Sequence, residues 1–485
     1  MISELSSTNT YIKSNESASN ILGKHNSELS SFNISISKLD LPTLYCIPKL
    51  HKSPYKFRFI ANSSNCSTTI LSRNLTSALT AIKEHITRYC ETVLNRNDVN
   101  LFWSIKNSGD VIEKMKSGNF QANTISSYDF SNMYTTLPHD KINDRLSNLI
   151  KWCFDRERKT YICTSESKGF FSSTDYKSYK SWTCSDLCNA LSFLLDNIYV
   201  RFGEDLYKQV VGIPMGTNCA PLVADLFLYT YEKEFIQNLQ KQRKFDELKC
   251  FNNTSRYLDD ILTIDNPAFE LYKNEIYPQE LTLNKANLSN TETPFLDLNI
   301  KIVNGKIHTS VYDKRDDFGF NIVNFPWLDG DVPRLPSYGI YISQLIRYAR
   351  ACTDILDFHS RNLQITKKLL GQGFRFHKLV KTFWKFYKNY SQLLLKFGSI
   401  HATEYITMGI TQPVFYGDMI NKIKRIKGRQ HNHRKCVRII KRLLYRGYDP
   451  NVTRRTLSLV LDQYTVLYER ILKTCTLTDC DDGTP

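Results

Sequence analysis

The stretch SRYLDDILTID (Ser255–Asp265) sets Asp259 and Asp260 side by side inside a run of strand-forming, mostly apolar residues. Two adjacent carboxylates repel each other, and burying either is costly without a compensating cation. The run reads as strand–turn–strand with the acidic pair at the tip. Such a tip suits either a solvated hairpin end or a divalent metal, and a choice between them needs the rest of the chain.

Upstream, SSYDFSNMYTTLPH (Ser126–His139) puts Asp129 at the end of a short strand, just before a turn and a helix. Alone, Asp129 also fits a turn or helix N-cap. Beside the Asp259-Asp260 hairpin it completes a set of three acids suited to two Mg²⁺ ions about 3.5–4 Å apart, the clamp for a phosphoryl transfer. Between these acidic strand ends lies VVGIPMGTNCAPLVADLFLYTYE (Val210–Glu232), where Gly212 and Gly216 bracket a Pro-containing turn that feeds a helix opening on Pro221. Glycine there lets backbone approach a base or sugar closely. Near the N-terminus, YCIPKLHKSPYKFRFIAN (Tyr45–Asn62) gathers Lys49, His51, Lys52, Lys56 and Arg58 among strand formers. Cations on a hairpin suit a triphosphate, with arginine offering a two-pronged fork, or simply form a solvated basic face.

The chain has 485 residues, enough for two to four units each with its own core, and its hydrophobic (41%) and aromatic (12%) fractions are those of a folded protein. A formal charge of +16 calls for a polyanionic partner, nucleic acid or an acidic membrane surface. No apolar run reaches the roughly 18 residues of a membrane span, and the N-terminus is polar. The expectation is an intracellular, nuclear protein without a membrane segment. Its thirteen cysteines, scattered through apolar patterns, read as reduced core thiols.

Residues 1–40, rich in Ser and Asn, read as a loosely ordered lead-in. Residues 41–325 mix strand and helix patterns in an α/β (α+β) arrangement. PHDKINDRLSNLIKWCF (Pro138–Phe154) reads as a helix with Ile142, Leu146 and Leu149 on one face, and the chain turns as a hairpin at Asn304-Gly305. Residues 326–410 and 411–485 are helical. The segment 421–444 carries ten Lys or Arg and no acid, which points to a nucleic-acid backbone, with a nuclear-localisation patch overlapping it. His431, His433 and Cys436 lack a second ligand pair at zinc-finger spacing.

Taken in order, these segments resemble the motifs of a reverse transcriptase, over about residues 42 to 325. PKLHKSPYKFRFI resembles the fingers motifs, YDFSNMYTTLPH motif A, GIPMGTNCAPLVADLFLYTYE motif B, RYLDDILTI motif C, LTLNKAN motif D and PFLDLNIKI the primer grip. The Pro-Lys-x-His-Lys opening, MYTTLP after motif A, and FLD followed by SVYDKRDDF are most similar to Penelope-like retroelements. The resemblance implies a right-hand polymerase: fingers and palm on an antiparallel sheet, then a helical thumb and a basic helical C-terminal region. It implies RNA-directed DNA synthesis from an RNA template, a DNA primer and deoxynucleoside triphosphates, with two Mg²⁺ ions or Mn²⁺ as substitute. Asp129 and Asp259 would be metal ligands, with Asp260 beside them and Phe130 lending its carbonyl. Tyr134 would be the steric gate against a 2′-hydroxyl. Arg58, with Lys49 or Lys52, would meet the triphosphate, Met215-Gly216 would cover the nascent base pair, and Lys285 would protonate the leaving pyrophosphate.

The motif B segment departs from the common pattern, with Met215-Gly216 for Gln-Gly and Ala220-Pro221 for Ser-Pro. The endonuclease common after such polymerases is not recognisable; Gly339-Ile340-Tyr341 has no partner sequence and sits in a helical pattern. A telomerase-like or intron-type lineage stays open, as does an inactive or domesticated nucleic-acid-binding descendant.

Overall fold

The computed structural model describes residues 9–397, apart from 36–39, 50–55, 117–120, 288 and a few positions between 319 and 329. Lys52 and the basic segment 421–444 therefore lie outside the described residues. The chain divides into two compact units, the first Met1–Leu296 with Lys301–Lys306, the second Asp297–Ile300 with everything from Ile307.

In the first unit the strands are β1 (Tyr11–Lys13), β2 (Thr43–Lys49), β3 (Lys56–Asn62), β4 (Ile125–Phe130), β5 (Tyr161–Thr164), β6 (Gly169–Ser172), β7 (Lys180–Trp182), β8 (Tyr199–Phe202), β9 (Asp205–Gln209), β10 (Thr254–Tyr257), β11 (Asp260–Ile264) and β12 (Leu283–Lys285). Its helices are α1 (Ala18–Ser31), α2 (Thr69–Asn97), α3 (Ser108–Lys116), α4 (Met133–Thr136), α5 (His139–Glu157), α6 (Cys184–Asp196), α7 (Ala220–Lys241), α8 (Phe245–Cys250) and α9 (Ala268–Ile276).

The sheet that matters most is antiparallel, in the order β10-β11-β4-β12. Side chains alternate faces along a strand. Tyr128, Phe130 and Ile261 enter the main core with Val223, Leu226 and Phe227 of α7, Phe269 of α9 and Tyr277. Asp129, between two buried rings, is exposed. On its face the sheet is closed at one end by buried Ile125, Ser127, Leu262 and Ile264, and it opens at Asp129 and Asp260.

A second sheet, β1-β9-β8-β2-β3, carries the basic hairpin and has its own small core of Tyr11, Leu44, Ala61, Val200 and Tyr207. Residues 9–35 are not the loose lead-in expected from composition. Strand β1 pairs with β9, and α1 starts at Ser17, whose hydroxyl accepts from the Asn20 amide. Ile21, His25 and Leu29 form a buried stripe at four-residue intervals, one face of a helix. Strands β6-β5-β7 make a third sheet. Cys66, Cys90, Cys153, Cys163, Cys219 and Cys352 are buried thiols.

Strand β13 (Glu292–Phe295) leads to the hairpin β14 (Leu298–Val303) and β15 (Lys306–Val311). Asn304 and Gly305 both have positive φ, 51° and 75°, as a two-residue hairpin turn of this composition requires. The division between units runs through this hairpin, earlier than the expected boundary near 325: its tip belongs to the first unit and its open end to the second. The reason is local bonding. Thr309 donates to the Ala351 carbonyl (2.6 Å) and exchanges bonds with Thr353, and Arg361 donates to the Val311 carbonyl (2.8 Å).

The rest of the second unit is helical: α10 (Arg334–Ser337), α11 (Gly339–Ala351), α12 (Ile355–Leu370) and α13 (Phe376–Tyr390). Leu345, Phe358, Leu369, Phe374, Phe383 and Phe386 are its buried core. Tyr341 of the Gly-Ile-Tyr sequence is buried in α11 with its hydroxyl bonded to Asn362, and so serves helix packing. Among the described residues no helix is long and apolar enough to cross a membrane.

Candidate active site

Strands β10 and β11 are joined by Leu258 and Asp259 alone, between the paired residues Tyr257 and Asp260. Leu258 has φ +51°, a conformation that bulky side chains rarely adopt. Across the sheet Asp260 is the direct partner of Asp129, and the Phe130 amide donates to the Asp259 carbonyl (3.1 Å). The three acids, 130 residues apart in sequence, thus meet at one open sheet end. Asp129 is exposed; Asp259 and Asp260 are half-buried. Carboxylates directly opposed on neighbouring strands destabilise the sheet unless a cation offsets them.

Among the described residues no three His, Cys, Asp or Glu side chains are set closely enough to hold an ion by themselves. Asp260 faces Asp129 across the ladder, and Asp259 occupies the turn beside them. The donors at this open edge are hard carboxylate oxygens. They fit Mg²⁺, which takes one or two protein carboxylates and completes its shell with water and substrate phosphates.

Tyr134, on α4 directly after β4, stands beside this turn. Burial, and next the negative charge of Asp259, push its hydroxyl pKa well above the ordinary range. Its backbone carbonyl accepts from the Ile213 amide (2.8 Å), and the Gly212 amide donates to the Leu137 carbonyl (2.7 Å). Gly212 has φ +82°, and a Cβ there would lie 2.2 Å from the Tyr134 carbonyl oxygen. Gly216 has φ +113°, and a Cβ there would lie 2.1 Å from the Ala61 carbonyl oxygen; the Ala61 amide in turn donates to the Met215 carbonyl (2.8 Å). The Gly212–Gly216 loop is thus wedged between the segment after β4 and the outer edge of β3. Arg58, three residues before Ala61 on β3, is exposed opposite Ile47, and Lys49 pairs with Lys56.

Lys285 does not join the acids. It is the cross-strand partner of Tyr128, on the helix-covered face, whereas Asp129 is opposite Asn284. Glu270, which accepts from the Tyr128 hydroxyl (2.8 Å), has its pKa lowered first by its bond from Lys273 and, least, by the charge of Lys285. Register decides this, because a shift of one residue moves a side chain to the other face.

A buried charged cluster under the turn escaped the sequence reading. Arg256, fully buried, donates through Nε and Nη2 to Glu232, and through Nη1 to Asp225 Oδ1 (2.7 Å) and the Leu258 carbonyl (3.3 Å). The other oxygen of Asp225 accepts from Lys83 (2.6 Å) and Ser104 (3.0 Å), and Tyr277 donates to Glu232 (2.9 Å). Two cations thus face two anions. Burial opposes ionisation of Asp225, but Arg256 and Lys83 outweigh it and hold its pKa below the usual range. The available signal was Asp225 and Glu232, two helical turns apart within an otherwise apolar run.

No family model matches the sequence, and no curated protein matches it. Distant structural similarity links the chain to two classes of polymerase, telomerases and RNA-dependent RNA polymerases. A telomerase from Candida albicans, in complex with a fragment of telomeric RNA, gives a TM-score of 0.47 at 12% identity over 83% of this chain and 70% of that one. Apo telomerase from Candida tropicalis gives 0.38 at 12% over 82% and 71%, and the RNA-dependent RNA polymerase of BmCPV at elongation 0.36 at 12% over 64% and 25%. The functional reading rests on the residues and their register.

Proposed function

We propose that this chain is a reverse transcriptase of Penelope-like type, an RNA-directed DNA polymerase that extends a DNA primer on an RNA template. The observation that carries the reading is the antiparallel register that sets Asp129 opposite Asp260, with Asp259 in the two-residue turn bonded to Phe130. Asp129 and Asp259 would hold Mg²⁺, or Mn²⁺ in its stead, with Asp260 and the Phe130 carbonyl beside them. Bound there, the ions supply positive charge to the reacting phosphate and acidify the primer 3′-hydroxyl.

The chain's own side chains bind and orient. Arg58, with Lys49 and Lys52, neutralises the triphosphate and aligns it. The Tyr134 ring, on a main chain packed closely against Gly212, excludes a 2′-hydroxyl. Met215 and Gly216 present a flat, close-lying backbone to the base pair. Lys285, turned to the other face, is not assigned the proton transfer to pyrophosphate. The basic segment 421–444 would add backbone affinity for nucleic acid and a nuclear address.

Primer extension on poly(rA)/oligo(dT) with Mg²⁺ tests this. Asp129→Ala and Asp259→Ala should each abolish extension and leave RNA binding near wild type. Extension by either purified variant rejects the assignment. Salt-sensitive RNA binding by the wild type, without incorporation in Mg²⁺ or Mn²⁺, would mark a non-catalytic binding protein instead.

A further inference from the structure

We propose that Asp225 is a positioning residue for the acidic turn, acting through Arg256; the inference rests on reading that turn as part of a polymerase centre. One guanidinium nitrogen, Arg256 Nη1, is shared between Asp225 Oδ1 and the carbonyl of Leu258, the residue before Asp259. Glu232 holds the other two nitrogens, so the planar group cannot swing without breaking several charge-assisted bonds. Asp225 is itself fixed from behind by Lys83 of α2 and by Ser104. The main chain of Arg256 is tied on both sides, its amide to the Trp103 carbonyl (2.7 Å) and its carbonyl to the Ile105 amide (2.8 Å).

The direction of Nη1, and with it the left-handed geometry of Leu258, is therefore set from α7. The same helix begins at Ala220, four residues beyond Gly216. One rigid element thus carries both the loop beneath the nucleotide and the anchor of the acidic turn. A role limited to filling a buried polar gap would change stability alone. A positioning role predicts a turn that loosens while the fold and nucleotide affinity persist.

The test compares the full-length wild type with Asp225→Asn and with Asp225→Asn/Lys83→Gln. The double variant restores the balance of charge, so it stays informative if the single one does not fold. Hydrogen–deuterium exchange should quicken by about tenfold or more across 258–261, with α7 unchanged. Primer extension should show kcat lowered roughly 10- to 100-fold at a KM for deoxynucleotide close to wild type. Wild-type exchange across the turn in the folded double variant overturns the proposal, as does a rise in KM at unchanged kcat. If the wild type extends no primer, the polymerase reading fails, and the exchange measurement still decides whether Asp225 holds the turn.

Discussion

In the proposed reading Tyr134 is the gate against a 2′-hydroxyl: its hydroxyl feels the charge of Asp259, and its carbonyl accepts from the Ile213 amide. Tyr134→Ala should raise ribonucleotide use relative to deoxynucleotide by about 10- to 100-fold, read as the ratio of the two kcat/KM values. An unchanged ratio removes the gate. Gly216→Ala forces a Cβ against the Ala61 carbonyl at an unfavourable φ, and it should cost about 1–3 kcal/mol, measured by urea unfolding. At this scale the strand–turn–strand around Asp259-Asp260 and the strand ending at Asp129 were legible, but that Asp129 and Asp260 would be cross-strand partners was not. Nor was Arg256. A lone cation in a short strand reads as the solvent-facing member of an alternation until the helix bearing Asp225 and Glu232 is seen against it. Lys285 misled for a related reason: sequence names the residue, and only the pairing of β12 with β4 names the face.

Among elements, the hairpins and long helices follow closely from pattern. The Asn304-Gly305 turn, the stripe of α5 and the apolar run of α7 all occur where periodicity and turn chemistry ask for them. Helix α1 is the exception, its three buried positions diluted by Ser and Asn. Those positions carry a consequence for pH. His25 is buried, with Nδ1 bonded to Ser67 Oγ (2.8 Å) and, among the described residues, no partner at Nε2, and burial pushes its pKa down to about 4. The folded state prefers the neutral ring, so this contribution is complete above about pH 6.5 and is lost as pH falls towards 4. The loss should reach up to about 3 kcal/mol. Thermal unfolding between pH 7.5 and 4.5 should show it, and His25→Gln should flatten that slope. Equal slopes in both proteins would mean that other groups govern acid sensitivity.

For the whole molecule, a charge of +16 would make salt the lever on the nucleic-acid binding proposed above. Replacing five of the ten Lys and Arg in 421–444 by Gln should reduce the salt dependence of RNA binding, lowering the log–log slope by up to about 3. Fluorescence anisotropy across a salt series measures it, and an unchanged slope would assign the contacts elsewhere. The mixed α/β pattern before about 311 and the helices described between 334 and 397 were legible from periodicity, but the place where the chain changes unit was not. It depends on which partners Thr309 and Val311 find, and no local pattern encodes that. Because β14 and β15 each contribute residues to both units, neither unit can be cut free cleanly. Ending the chain after 296 discards the tip that the first unit keeps, and ending it after 306 strips β14 of most of its partner strand. Either truncation bares a row of unsatisfied amides and carbonyls of the kind that recruits other chains, so shortened proteins split at this point should aggregate where the intact one does not.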